Sequence, residues 1–191
     1  MERSYYYEKN HRSFHRHMLT TLNADAKTKN ITLQEVKKQV TQNKLPYALA
    51  KIGDSYKKFK GKKHAGLPYY AKERGSSLNV YGYANNKNFK TKDTIFTYIL
   101  NGKQKTNKAT DKVRGMLLST PQKFTKKQVT QTFGKPVEYK ASKNEAGYIY
   151  FYNTNILVIL SEYEKGKAYT RFLLIPFSEF SQGGIFESYL K

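Results

Sequence analysis

The hexapeptide Lys-Lys-Gln-Val-Thr-Gln occurs twice in the sequence, at residues 37–42 and again, 89 positions later, at residues 126–131. Both copies lie in stretches with helical hydrophobic spacing, and each stretch soon reaches a proline, Pro46 or Pro136. Self-similarity at a fixed offset is the signature of a repeated architecture, although chance identity in a chain rich in lysine, glutamine and threonine is the alternative. The repeat predicts an α+β fold of two tandem units, each with short helices packed on an antiparallel sheet.

The domain organisation follows from this repeat. We expect residues 1–30 to form a tail, residues 31–108 the first unit and residues 109–191 the second, with the polar, lysine-rich stretch 103–110 between the units. A unit of about 80 residues is small, so we expect the two units to share an interface in order to bury enough apolar surface.

The tail contains a signal-like pattern at residues 24–27, Ala-Asp-Ala-Lys, which is similar to the end of a bacterial signal peptide without its apolar core. The tail, residues 1–30, is interpreted as a disordered segment, a signal remnant or a tag. A signal remnant places the protein outside the cell or on its surface, whereas a native N-terminus places it in the cytoplasm.

Helix signals surround both hexapeptides. Thr32 and Glu35 have the spacing of a capping box, and Leu33, Val36 and Val40 follow at helical spacing. Thr125, Val129 and Phe133 form the apolar stripe of the second helix, and Gly134 is predicted to end it. Val113, Met116 and Leu117 suggest a further short helix at the start of the second unit.

Strand signals fill much of the remaining sequence. Alternating or β-branched patterns predict strands at residues 77–83, 94–100, 147–152, 156–163 and 168–176. Tyr148, Tyr150 and Tyr152 share one face of their strand, opposite Ile149 and Phe151. Packing in the core is the favoured interpretation of this tyrosine row, and a stacking platform for a ligand is the alternative.

The charge of the chain indicates which kinds of partner it binds. The formal net charge is +21, with 35 lysine and arginine residues against 14 acidic residues. Such an excess predicts an anionic partner, with nucleic acid first, then wall polymers, anionic lipid headgroups or an acidic protein; a basic surface without a dedicated partner is the alternative. Lysine outnumbers arginine heavily, which favours contacts to a polymer backbone over readout of bases.

The most basic stretch, residues 54–74, provides the candidate binding site. Lysines interleaved with aromatic rings are typical of proteins that bind single strands without sequence preference. The predicted anion-binding residues are Lys57, Lys58, Lys60, Lys62, Lys63, Lys72 and Arg74, and the predicted aromatic contacts are Tyr56, Phe59, Tyr69 and Tyr70. The alternative is that Tyr56 and Phe59 point into the core while the lysines face water.

Several classes of site find no support in the sequence. The chain has no cysteine, which excludes disulfides and thiolate chemistry. His11 and His15 are four residues apart, but no third ligand is evident, so we predict no metal site and no cofactor. No catalytic constellation or phosphate-binding glycine loop is present, so we expect a protein that is not an enzyme. No apolar run is long enough to span a membrane.

Two families resemble parts of this sequence. A helix, then Phe-Gly-Lys-Pro at residues 133–136, then three strands rich in tyrosine and phenylalanine up to residue 175 resembles the unit of the β-lactamase-inhibitor-protein-like fold. The first unit departs from this pattern because it lacks Phe-Gly before Pro46. Residues 129–152 are also similar to the staphylococcal immunodominant surface antigen B family, whose members bind extracellular nucleic acid.

These resemblances imply a secreted or surface binding module and do not define a ligand. Taken with the charge, they lead to an expected function as a non-enzymatic binding protein for an anionic polymer, nucleic acid foremost. The alternative is a protein-binding or inhibitor-like module that uses the concave face of its sheet.

Overall fold

The structure, a computed structural model, describes residues 30–62, 67–72, 79–84, 94–100, 108–164 and 167–178. For residues 67–72, 79–84 and 164 it describes the backbone alone. The predicted tail, residues 1–29 of it, and most of the predicted boundary at 103–110 lie outside the described residues.

Two short helices form where the capping signals predict them. Helix α1 spans Leu33–Val40, and the Thr32 side chain accepts a hydrogen bond from the backbone N–H of Glu35. Helix α2 spans Lys126–Phe133 and begins with a complete capping box between Thr125 and Gln128. Gly134 ends α2 with a φ of 88°, a left-handed conformation that favours glycine. The predicted helix-ending role of Gly134 is confirmed.

The strands form one antiparallel sheet of eight in the order β1-β2-β3-β4-β8-β7-β6-β5. In chain order each helix precedes four strands, and these two four-stranded meanders meet where β4 pairs with β8. The α+β class is therefore confirmed, with the sheet as its larger part. The strands are β1 Leu67–Lys72, β2 Asn79–Ala84, β3 Ile95–Leu100, β4 Val113–Thr120, β5 Glu138–Ala141, β6 Glu145–Tyr152, β7 Asn155–Glu164 and β8 Lys167–Pro176.

One element was predicted with the wrong type. The stretch that contains Val113, Met116 and Leu117 is strand β4 and not a short helix. Met116 is buried with the helices in one cluster, whereas Leu117 packs against the apolar cluster of the opposite face. A strand buried on both faces has a continuous apolar run, which spacing alone does not distinguish from a helix.

The main core lies between the helices and one face of the sheet, which we call the helix face. Leu33, Val36 and Val40 of α1 and Val129 and Phe133 of α2 pack in a single buried cluster with side chains from both meanders. Members from the sheet include Phe96, Tyr98, Met116, Leu118, Tyr148, Tyr150, Leu157, Ile159, Phe172 and Leu174. Core packing of Tyr148 and Tyr150, the favoured interpretation of the tyrosine row, is confirmed.

The opposite face of the sheet carries a second apolar cluster. Its buried members are Ile99, Ile149, Ile156, Val158, Leu173 and Ile175. They alternate along their strands with residues of the helix face, as side chains on a pleated sheet must. Because both faces bury apolar side chains, the central strands carry hydrophobic residues at consecutive positions.

Polar contacts tie α1 and its flanks to α2 and to the segment that precedes it. The Gln122 side chain accepts a hydrogen bond from the Ile31 N–H at 2.7 Å and donates one to the Ile31 carbonyl at 3.0 Å. The Lys37 ammonium donates to the Thr132 carbonyl at the end of α2, at 2.7 Å. These bonds join the two helices and their flanks, and the shared core joins the two meanders through more than the β4–β8 pair.

Candidate anion-binding site

The predicted lysine segment lies in a short 3-10 helix, Tyr56–Lys58, and the turn that follows it. The backbone N–H of Tyr56 donates to the Asp111 carbonyl at 2.7 Å, and that of Lys57 donates to the Ala109 carbonyl at 3.0 Å. The Val113 N–H in turn donates to the Asp54 carbonyl at 2.9 Å. The segment is therefore fixed beside the beginning of β4, at one end of the sheet.

Tyr56 and Phe59 belong to the core, so their assignment as ligand contacts is wrong. Phe59 has no exposed surface and Tyr56 is 8% exposed. The Phe59 ring stacks on Tyr98 with centroids 4.2 Å apart, and Tyr56 meets its edge at 5.1 Å. A ring enclosed in this way has no face to offer a base, and its burial instead attaches the segment to the sheet.

The lysines of the segment face solvent, as expected for ammonium groups that are costly to bury. Lys57, Lys58, Lys60 and Lys62 are all exposed, whereas Tyr56 and Phe59, three residues apart, point inward. The same short segment thus has a buried aromatic pair on its inner side and a row of lysines on its outer side. Such an arrangement holds several positive charges on a backbone that cannot easily move.

Further lysines come to this end of the sheet from distant parts of the sequence. Lys108 and Lys112 flank the backbone that hydrogen-bonds to the segment, and both are exposed. Sequence reasoning missed them because the composition of residues 103–110 is that of a linker. We define the basic end by eight residues: Lys44, Lys51, Lys57, Lys58, Lys60, Lys62, Lys108 and Lys112.

A shallow cleft of about 370 Å³ opens within the basic end. Its lining includes Lys44, Lys51 and Lys58, together with the carboxylate of Asp54. That carboxylate accepts hydrogen bonds of 2.8 Å from the Lys58 ammonium and from the Lys51 N–H. Burial raises the pKa of Asp54, but these hydrogen bonds and the lysine charges outweigh it, and the pKa lies below its ordinary value.

Asp54 therefore stays ionised near neutral pH and offsets the charge of Lys58. The other exposed lysines of the segment are Lys57, Lys60 and Lys62. We expect these three to contribute most of the positive potential that an approaching polyanion meets.

The remaining predicted site residues are placed only in part. Lys63 and Arg74 lie outside the described residues. Tyr69, Tyr70 and Lys72 lie on β1, where their backbones pair with Gly82, Tyr81 and Asn79 of β2. Their side chains are not described, so their roles remain predictions.

In the part of the chain that the structure describes, no three histidine, aspartate or glutamate side chains come together as metal ligands. No helix among those residues combines the length and hydropathy that crossing a membrane requires. No protein-family model matches this chain, and no curated protein or solved structure matches it either.

Proposed function

We propose that this protein is a non-enzymatic binding protein for an anionic polymer, with nucleic acid as the foremost ligand, and that the basic end is its site. The observation that supports the proposal is the turn at residues 57–62. It exposes four lysines while Phe59 is buried in the core beneath them. Because the buried anchor fixes the backbone that carries these cations, only their side chains become ordered on binding, which lowers the cost of association.

The expected mode of recognition is electrostatic. Lysine ammonium groups are compact point charges that suit phosphate oxygens without fixing their orientation. Each phosphate that is neutralised releases condensed counterions, so binding should be independent of sequence and steeply dependent on salt. The secreted or surface location remains part of this proposal and is tested by the native N-terminus of the mature protein.

A triple substitution tests the site. Lys57, Lys60 and Lys62 are changed together to glutamine, and Lys58 is kept because it pairs with Asp54. Affinity for mixed-sequence DNA at low salt should fall roughly ten-fold or more. The slope of log affinity against log salt should flatten by roughly 0.9 for each duplex phosphate that the variant no longer neutralises. Fluorescence anisotropy across a salt series measures both, and stability should change little because the side chains are exposed.

The matched control removes the same charge elsewhere. Lys127, Lys143 and Lys167 are also exposed: Lys127 in the first turn of α2, Lys143 in the β5–β6 turn, and Lys167 at the first residue of β8, the last two at the other end of the sheet. Changing these three to glutamine should leave affinity close to that of the wild type. Equal losses in the two triple variants would indicate general charge attraction without a defined site, and no binding by the wild type at low salt would overturn the proposal.

The alternative function is a protein-binding or inhibitor-like module that uses the face of the sheet opposite the helices. Two half-exposed phenylalanines, Phe151 and Phe177, continue the second apolar cluster at the rim of that face and favour such a contact. Binding to a protein partner that persists at about 0.5 M salt would support this alternative, because charge is then screened beyond a few Å.

We also propose that the two halves of the fold are copies of one unit, as in the β-lactamase-inhibitor-protein-like fold. The support is that a helix and four strands occur twice in chain order, and that the two meanders meet through their last strands. Superposition of the two halves tests it. Strands that fail to match one to one would contradict it.

A further inference from the structure

Two exposed phenylalanines touch each other at one end of the sheet. Phe151 on β6 and Phe177, just after β8, are each 52% exposed, and their rings meet at 90° with centroids 5.7 Å apart. The N–H of Phe177 donates to the Thr154 carbonyl in the β6–β7 turn at 2.8 Å. Backbone hydrogen bonds of the β6–β7 pair and of the turn thus hold the residues that carry the two rings. About half of each side chain is exposed to solvent.

This aromatic pair lies at the same end of the sheet as the basic end. Phe151 pairs with Ile156 beside the β6–β7 turn. Asn155, the next residue toward that turn, donates a 2.7 Å hydrogen bond to Asn43, the neighbour of Lys44. The turn that supports the pair is therefore in direct contact with the chain that enters the basic end.

The position of β4 gives a second link. A Cβ added to Gly115 would lie 3.0 Å from a methyl carbon of Ile175, so Gly115 lies beside the end of β8. Arg114, which precedes Gly115, and Lys112, three residues before Gly115, consequently lie near the strand end that carries Phe177. The basic end, whose Phe59 anchor packs on the helix face, is thus linked around the end of the sheet to the pair on the opposite face, through the chain after α1 and through β4.

We propose that Phe151 and Phe177 form a stacking platform for the bases of single-stranded nucleic acid whose phosphates follow the basic end. Aromatic rings stack on any base, and single strands leave base faces accessible, whereas a duplex does not. This inference rests on the proposed function and adds to it a preference for single strands over duplexes.

Insertion into a lipid surface fits the pair less well. The rings are not at the tip of their hairpin, since Asn153 and Thr154 form the turn beyond Phe151. A polar tip would have to enter the apolar layer before the rings did, at a cost in desolvation. The lysines beside the pair suit phosphates in either ligand, so the test includes both.

The test compares three labelled probes of about 20 units, long enough to cover a typical single-strand site: oligo-dT, an abasic strand with the same phosphates, and a duplex. Wild-type protein should bind oligo-dT more tightly than the abasic strand. The F151A/F177A variant should lose roughly 10- to 100-fold in affinity for oligo-dT, as expected when one or two bases no longer stack. Its affinity for the abasic strand and the duplex, and its salt slope, should not change.

Two controls keep the result interpretable. Tyr163 is 51% exposed and lies near the β7–β8 turn at the opposite end of the sheet, so Y163A should bind like the wild type. The F151Y/F177Y variant retains both rings and should retain binding, which separates stacking from a change in folding. Circular dichroism melting curves confirm that each variant is folded.

Each outcome decides the inference. Equal wild-type affinity for oligo-dT and the abasic strand, with no effect of F151A/F177A, overturns the platform while the proposed function stands. Absence of wild-type binding to all three probes overturns both. If F151A/F177A instead loses binding to phosphatidylserine vesicles while oligo-dT binding is unchanged, the pair is a lipid contact and the platform is wrong.

Discussion

Replacement of Phe59 by alanine is expected to lower the free energy of unfolding by about 3–5 kcal/mol, the usual cost of removing a fully buried phenylalanine ring. The ring has no exposed surface, and it contacts Tyr98 face to face and Tyr56 edge to face. Its loss leaves a cavity beneath the lysine turn. Urea unfolding followed by circular dichroism measures the change.

Nucleic-acid binding separates the two possible roles of Phe59. The folded fraction of the alanine variant should bind DNA with an unchanged salt slope, because the lysines remain. A Phe59→Leu variant, which keeps most of the volume, should lose less stability than the alanine variant. An unchanged melting temperature together with weaker DNA binding would place the ring on the surface and contradict the structure.

Stability should fall steeply between pH 10 and pH 12. Burial raises the pKa of Tyr98 to about 12 and, with smaller contributions from Tyr148 and Tyr152, raises that of Tyr150 to about 12. In the unfolded chain these phenols ionise near pH 10, so the unfolded state releases protons first. Each tyrosine then contributes a loss of at most roughly 1.4 kcal/mol per pH unit in this range, and little below it.

The measurement is urea unfolding at intervals from neutral pH to pH 12, with tyrosinate absorbance recorded in parallel. Lysines also lose their charge in this range, so the Y98F/Y150F variant serves as the reference. The variant should start from a lower stability, because the Tyr98 hydroxyl accepts a 2.7 Å hydrogen bond from the Leu49 N–H. Its stability should nevertheless decline less steeply with pH. Parallel curves for the two proteins would contradict the raised pKa values.

Capping residues and the alternation of apolar and polar residues predicted most helices and strands, whereas contacts between distant parts of the sequence were harder to predict. Thr32 and Thr125 mark the helix starts because their side chains satisfy backbone N–H groups within the same turn. Strands β1 and β5 were not predicted as strands. Residues 138–141 are exposed throughout, so β5 lacks the apolar alternation that identifies a half-buried strand.

The repeated hexapeptide marks both helices, but it does not align them. Lys37 is the fifth residue of α1, whereas Lys126 is the first residue of α2. Alignment by the caps, Thr32 with Thr125, places the copies about one helical turn out of register. The identical hexapeptides located the helices correctly, but the N-cap residues determine how the two helices align with each other.

The exposure of the segment's lysines was predicted from the sequence, whereas the burial of its aromatic rings was only the alternative interpretation. Interleaved lysines and aromatics are compatible both with a stacking surface and with a buried anchor. The choice depends on Tyr98, which is some forty residues away in sequence and stacks on Phe59. Lys108 and Lys112 join the site because the backbone of residues 109–113 pairs with that of residues 53–57, a contact without a local signal.

The central strand pair also has a consequence during synthesis. Met116 of β4 pairs with Leu174 of β8, so the ribosome must add more than fifty residues before β4 receives its second neighbour. Until then β4 is an unpaired, apolar edge of the sheet. Such an edge can pair with a strand of another nascent chain on the same polysome. Lys123, Lys126 and Lys127 emerge directly after it. Their like charges should repel neighbouring nascent chains and protect the edge until β8 arrives.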